Sequence, residues 1–290
     1  VLAFVNVCNS WNVPCYIERS RSGNGAHVWI FFDKPITALK ARKLGNAILT
    51  EAMDRDARLS FKSYDRFFPN QDSLPEGGLG NLVALPLQGM ARRKGNSVFV
   101  DNKFNAYEDQ WTFLSQIHKF SEAELDLLLR QHTVPTLGEL SKSSETKPWE
   151  TTQIGTSLAD CYPKQIVLIR ANMLYIPLAN LSAKCVNAFK RIAAFRNPEF
   201  YEKQGMRLST YNIPRIISCS EMTDDYLALP RGCEDTVYDV LSQHNVNVTI
   251  SDKTNPGRSI NVKFKGKLRE EQQKAIEAFA KHNIGTLSAT

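Results

Sequence analysis

Residues 18–32 read Glu18-Arg19-Ser20-Arg21-Ser22-Gly23-Asn24-Gly25-Ala26-His27-Val28-Trp29-Ile30-Phe31-Phe32. The two halves differ in kind. Ala26 to Phe32 is a continuous apolar run, and its length and β-branched content predict a buried strand. Ser20 to Gly25 is rich in Ser, Gly and Asn and predicts a turn. Upstream, Cys15-Tyr16-Ile17-Glu18 reads as a short strand, so the turn joins two strands as a hairpin or tight reversal. Two glycines let backbone N–H groups approach a phosphate closely, and Ser22 adds a hydroxyl. His27, at the root of the second strand, offers a ring N–H. An isolated motif of this length is more often a glycine turn with a histidine satisfied in the core.

Working outward, Val1, Leu2, Val5 and Cys8 recur at helical spacing. Thr37 to Met53 predicts a second helix, with Leu39, Leu44, Ala47 and Ile48 able to share a face. Phe61 to Phe68, Leu82 to Leu87 and Ser97 to Val100 read as strands, and Pro69 to Gly80 as a loop. Ser121 with Glu124 forms a capping box that opens a helix through Gln131. Strands and helices therefore mix in an α+β order over residues 1–138. Residues 139–164 read as a linker, most polar from Leu140 to Gln153. Residues 165–265 read as a connecting α+β region. It holds a hairpin (Gln165 to Ile169, Met173 to Ile176), a basic helix (Ala183 to Phe195) and strands at Val246 to Ile250 and Ile260 to Phe264. Residues 266–290 hold a helix from Leu268 to His282, with Leu268, Gln272, Ile276 and Phe279 on one side. There is no internal repeat.

The 290 residues are 42% hydrophobic and 23% charged, with a formal net charge of +6. That is ordinary globular composition, enough for two domains, and a mild basic excess suits a polyanion without demanding one. The six cysteines form no C-x-x-C pair, so reduced thiols in a cytoplasmic protein are expected rather than zinc or disulfides. No run is apolar enough to span a membrane. Both ends look like cuts through folded elements.

Three further constellations bear on chemistry. In Ser63-Tyr64-Asp65-Arg66-Phe67-Phe68-Pro69-Asn70-Gln71-Asp72, a carboxylate at a strand end, Asp65, has the oxygen ligands a hard divalent cation takes. A surface ion pair or loop cap explains most single Asp residues, and Asp72 reads as the loop cap. Gly77 to Gly89 is followed by Arg92, Arg93 and Lys94, cations able to contact a phosphate backbone or simply to be solvated. Near the C-terminus, the Gln272 amide can read both hydrogen-bonding edges of adenine, but the G-K-[ST] of a phosphate-binding loop is absent.

Taken together, Glu18 to Phe32, Tyr64 to Asp72 and Gly77 to Gly89 resemble the primase domain of TOTE-type conflict systems, within the archaeo-eukaryotic primase superfamily. The tail, Leu268-Arg269-Glu270-Glu271-Gln272, resembles the entry to a superfamily 2 helicase motor, cut before its phosphate-binding loop. The resemblance implies a mixed α/β primase-type catalytic domain, incomplete at its N-terminus, with an α/β connecting region leading into the motor. It implies a parent enzyme: a DNA-directed primase-polymerase, a nucleotidyltransferase fused to an ATP-dependent helicase, acting in bacterial conflict or defence. His27 and Asp65 then match catalytic positions, with Asp65 a metal ligand. Ser22, Gly23, Gly25, His27 and Gln272 match nucleotide-binding positions, and Arg92, Arg93 and Lys94 contact nucleic acid. The implied cofactors are Mg²⁺ or Mn²⁺, nucleoside triphosphates and ATP for the motor. The implied partners are DNA or RNA and other conflict-system components. The family's paired acidic motif has no counterpart here, so this chain alone is expected to bind metal weakly and to lack activity. The alternative is an inactive nucleic-acid-binding module that feeds a helicase.

Overall fold

In the computed structural model, residues 1–69, 71–72, 83–132, 161–281 and 285–286 are described, and of Tyr64 and Asp65 the backbone alone. In chain order the elements are α1 (Leu2–Ser10), β1 (Tyr16–Arg19), β2 (Ala26–Trp29), α2 (Ala38–Arg55), α3 (Lys62–Asp65), α4 (Gly89–Arg92), β3 (Phe99–Val100), α5 (Gln110–Ser115) and α6 (Glu122–Gln131). Then follow β4 (Gln165–Arg170), β5 (Leu174–Pro177), α7 (Ala183–Ile192), β6 (Ala194–Arg196), α8 (Pro198–Gly205) and β7 (Ile216–Ser218). The last are β8 (Glu221–Met222), β9 (Tyr226–Leu229), α9 (Glu234–Gln243), β10 (Asn247–Asp252) and α10 (Glu270–Phe279). The chain divides into two compact units: residues 1–161 with 181–218, and residues 162–180 with 219–290. The expected connecting region is thus shared between them. Most of the expected linker, residues 139–160, lies outside the described residues.

The first unit is built on α2. Thr37 caps it by accepting the Lys40 N–H, and its apolar face buries Leu44, Ile48 and Ala52 against Val7, Cys8, Phe120 and Leu125. A second side of α2, with Leu49 and Met53, packs against Phe61 and Ile216. α7 locks onto the C-terminal end of α2 through polar contacts. Asn187 donates from Nδ2 to the Met53 carbonyl, and Lys190 donates from Nζ to the carbonyls of Ala57 and Leu59. The first caps a carbonyl that the end of a helix would otherwise leave unpaired, and the other two hold the chain that follows it. Burial pulls the Lys190 ammonium below its ordinary value.

The sheet of this unit has the order β2-β1-β3, both pairings antiparallel. Tyr16 faces Trp29, and Glu18 faces His27. Alternation along a strand sends neighbouring side chains to opposite faces. Ile17 and Val100 thus go to one face, packed with Val5 and Val98 in a core that Val28 also joins. Tyr16, Glu18, His27, Trp29 and Phe99 go to the other.

Two expected strands are absent here. Phe61 to Phe68 forms the single turn α3 instead, and its rings are spent on packing against α2 rather than on a ladder. Phe61 joins the Leu49–Met53 cluster, and the Phe67 ring occupies the space beside Gly45 where a Cβ would stand. The described part of the Leu82 to Leu87 run is irregular, and Leu87 has φ +62°.

The second unit carries a five-stranded sheet, order β10-β4-β5-β9-β8. β4 and β5 form the expected hairpin, while β10 pairs with β4 in parallel over six residues. Ile166, Leu168, Leu174, Ile176, Leu227 and Leu229 are buried, and α9 adds Val237 and Leu241. The alternating Ile260, Val262 and Phe264 make no strand; all three side chains are exposed. Alternation supplies a strand's pattern but not its partner. Among the described residues, no helix is long and apolar enough to cross a membrane.

Candidate functional site

The open face of the β2-β1-β3 sheet is organised around a buried carboxylate. Glu18 is 2% exposed. Its Oε1 accepts from the Ser97 hydroxyl at 3.0 Å, and its Oε2 accepts from Trp29 Nε1 at 2.7 Å. The third partner is His27, whose Nδ1 lies 3.1 Å from Oε2. A carboxylate only accepts, so the proton on this contact belongs to the imidazole, and Nδ1 is its donor. The His27 side chain remains 48% exposed, which leaves Nε2 on the open side of the ring. In the imidazolium form both nitrogens donate, Nδ1 to Glu18 and Nε2 outward to an anionic oxygen.

The glycine turn stands directly before His27. Gly23 has φ +82°, a conformation glycine adopts without strain, and its N–H donates to the Ser20 carbonyl at 2.9 Å. Gly25 has ordinary φ, and a Cβ there would meet the Ser20 hydroxyl at 3.7 Å, an unstrained contact. The backbone donors of the turn are engaged internally. The Gly25 N–H points at the Ser20 hydroxyl (3.1 Å) and the Asn24 N–H at the Ser22 hydroxyl (3.3 Å). The two hydroxyls lie 3.1 Å apart. An arriving phosphate would therefore meet the Ser22 hydroxyl, the exposed Arg21 and His27 first, and would compete for N–H groups now held by long bonds to hydroxyls.

The structure brings the basic triplet to this turn. Arg92, Arg93 and Lys94, all exposed, occupy the end of α4 and the turn after it. The next residues bind the hairpin: the Ser97 N–H donates to the Arg19 carbonyl at 2.9 Å, and Asn96 Nδ2 donates to the Arg21 carbonyl at 3.3 Å. Arg19 Nη1 returns a bond to the Gly95 carbonyl at 2.7 Å. Two segments about 70 residues apart in sequence thus form one cationic rim.

Asp65 is the last residue of α3; the role of its side chain lies outside the described residues. Asp72 is held by buried arginines. Its Oδ1 accepts from Arg42 Nε, and Arg215 Nη2 stands 4.0 Å from its Oδ2. Burial, then the neighbouring Arg215, pull the Arg42 guanidinium below its ordinary value. Gln71 Nε2 donates to the Leu208 carbonyl at 3.2 Å, and Arg215 Nε to the Tyr201 hydroxyl at 3.1 Å. Leu208 and Arg215 therefore hold Gln71 and Asp72 in place, a structural task for a stretch with no evident chemistry of its own.

Gln272 lies in the other unit, on α10, where its Oε1 accepts the Arg269 N–H at 3.0 Å. That oxygen is occupied as a helix cap. Among the described residues no three of His, Cys, Asp and Glu gather to hold a metal ion, and Glu18 is fully engaged with its three donors. The described side chains do not fit a divalent-cation site.

Sequence reading passed over Glu18. Its signal was present: a carboxylate inside a short apolar strand, cross-strand to a histidine once the hairpin register is drawn.

Residues 1–128 match the family model described as the Archaeo-Eukaryotic Primase domain of the TOTE conflict system. The match covers the first three motifs, ends within α6 and stops short of α7. No curated protein matches the chain.

Proposed function

We propose that this chain is the nucleotide-gripping part of a primase-type nucleotidyltransferase. In this reading, Ser22 and His27 hold the triphosphate of an incoming nucleotide, and Arg92, Arg93 and Lys94 meet the nucleic-acid backbone. The observation that carries it is the fixed imidazole: buried Glu18 holds His27 Nδ1 inward and leaves Nε2 on the open side of the ring, one strand step after the glycine turn. The match of residues 1–128 to a primase family supports the same assignment. The fusion to an ATP-dependent helicase through residues 266–290, the conflict-system context and a cytoplasmic setting belong to this proposal. So does the divalent cation of nucleotidyl transfer, which would supply charge neutralisation at the triphosphate.

A second reading has one observation in its favour, the lack of an assembled acidic cluster among the described residues. In it the same face grips nucleic acid without chemistry and feeds a motor.

Isothermal titration of a nucleoside triphosphate into wild type and His27→Ala tests the grip. A charge-assisted hydrogen bond contributes about 1.5–3 kcal/mol, so affinity is expected to fall about 10- to 100-fold. Equal affinities in a folded variant would remove the triphosphate reading. Template-directed incorporation assayed with Mg²⁺ or Mn²⁺ then separates the enzyme from the inactive module.

A further inference from the structure

The face that presents His27 continues into a row of aromatic rings. The Trp29 ring is stacked on Phe31 at 6.0 Å and 12°. Tyr16 lies 6.0 Å from Phe31 and meets Phe113 edge-on at 5.7 Å. Phe113 in turn stacks on Tyr107 at 4.0 Å and 13°. Ring follows ring from beside His27 to the edge of the sheet. Tyr16, Trp29, Phe31 and Phe113 are half-buried, and Tyr107 is exposed. Phe31 and Phe113 also pack on the fully buried Phe99, at 6.5 and 5.5 Å, so the row is the margin of a small aromatic core. The opposite face of the same sheet is closed by Val5 and Val98 around Ile17 and Val100, whereas this margin leaves its rings half-buried or exposed.

At the edge stands Phe104, held at φ +64°, a conformation costly for a bulky residue. Its carbonyl takes the second Arg19 bond, from Nη2 at 2.6 Å. Arg19 thus ties the aromatic edge to the turn at Gly95. The cations at hand, Arg21, Lys103 and the triplet at 92–94, are exposed. Of the nearby acids, Asp101 is occupied by the N–H groups of Lys103 and Asn105, and Asp109 by those of Trp111 and Thr112. A cationic rim beside half-buried and exposed aromatic rings is the composition of a single-strand nucleic-acid platform, where phosphates meet charge and bases stack.

We infer that the row Trp29–Phe31–Tyr16–Phe113–Tyr107 is a stacking surface for the bases of a single-stranded nucleic acid whose backbone runs along the cationic rim. The inference rests on the nucleic-acid reading above and adds what the bases touch. Trp29 follows His27 by two residues, about 7 Å along a strand, a step of the same order as that from a nucleotide's phosphate to its base.

The test compares two oligonucleotides of equal length by fluorescence anisotropy: oligo-dT and the same backbone made wholly abasic. Their phosphate charge is identical, so only stacking separates them. Base–aromatic stacking contributes about 1–3 kcal/mol per base, so wild type should prefer the base-bearing strand at least 5-fold. Tyr107→Ala should shrink that preference while leaving abasic binding unchanged. Trp29→Phe, which keeps a ring but drops the indole donor, guards against loss of fold and should retain most of it. Equal binding of both strands by wild type, or an undiminished preference in Tyr107→Ala, overturns the platform and leaves the phosphate grip standing. If neither strand binds, the platform and the nucleic-acid reading fall together.

Discussion

A single buried carboxylate decides how the candidate site works. Glu18 accepts from Ser97, Trp29 and His27, so removing it strands two donors that lie beneath the surface. Each buried, unsatisfied donor costs about 1–3 kcal/mol. Glu18→Ala should therefore lower stability by about 2–6 kcal/mol in chemical denaturation, with both stranded donors counted. Glu18→Gln keeps an acceptor for Trp29 and should cost less. It also removes the anion facing His27, so triphosphate affinity should drop while the fold holds. Stability and affinity moving together in both variants would show that Glu18 only supports the fold. The candidate residues His27 and Ser22 were legible because serine, glycine and histidine in a turn advertise their chemistry. Glu18 was not, because inside Tyr16-Ile17-Glu18 it looks like the polar half of an ordinary alternation. Its partner Ser97 is 79 residues away, beyond the reach of any local pattern.

Elements were legible where their own residues complete them. The Ser121–Glu124 box opened α6 as expected, with Ser121 accepting the Glu124 N–H and the Glu124 carboxylate accepting the Ser121 N–H. Strand assignments failed where a partner was needed. Phe61 to Phe68 has the aromatic content of a strand but spends its rings on α2, and Ile260 to Phe264 has alternation without a ladder. Likewise, nothing in Gln165–Arg170 announces that Asn247–Asp252 will lie parallel to it. Gly45 shows the reverse case, a glycine in a helix whose purpose is visible only in three dimensions. A Cβ there would run into the Phe67 ring. Alanine should gain about 1 kcal/mol in helix propensity. Displacing a packed ring costs about 1–3 kcal/mol, and here the overlap is severe. Gly45→Ala is thus expected to lower the denaturation midpoint and to loosen the Phe67–Asp72 segment, read out as faster amide exchange there. A midpoint at or above wild type would mean that Phe67 has room to move.

At the scale of the whole chain, the two units carry different reporters. Of the four tryptophans, Trp11, Trp29 and Trp111 are the described ones and all lie in the first unit, whereas ellipticity sees both units. The second unit depends on Arg170, which bonds both Glu234 oxygens and Asp252, joining α9 to the β4–β10 pair. Thr254, first through its hydroxyl and then its N–H, and next Arg170, pull the Asp252 carboxyl from 3.8 to about 2. A depressed carboxyl stabilises the fold above its unfolded value and loses that contribution as pH falls through the folded one. Asp252→Asn should accordingly shift the ellipticity transition at pH 7 and leave the tryptophan transition in place. The two proteins should converge as pH drops from about 4 to 2. Coincident shifts in both signals would show that the units unfold as one.

The chain passes from one unit to the other at 161/162, 180/181 and 218/219, so neither unit is a contiguous stretch of sequence. Residues 1–138, although they hold every catalytic candidate, lack the α7 segment that caps α2 and the Arg215 that steadies Asp72. This architecture resists modular exchange. A recombination event with one junction would transplant half of each unit and orphan the rest. Any inheritance of the grip without its neighbour would need at least two coordinated joins.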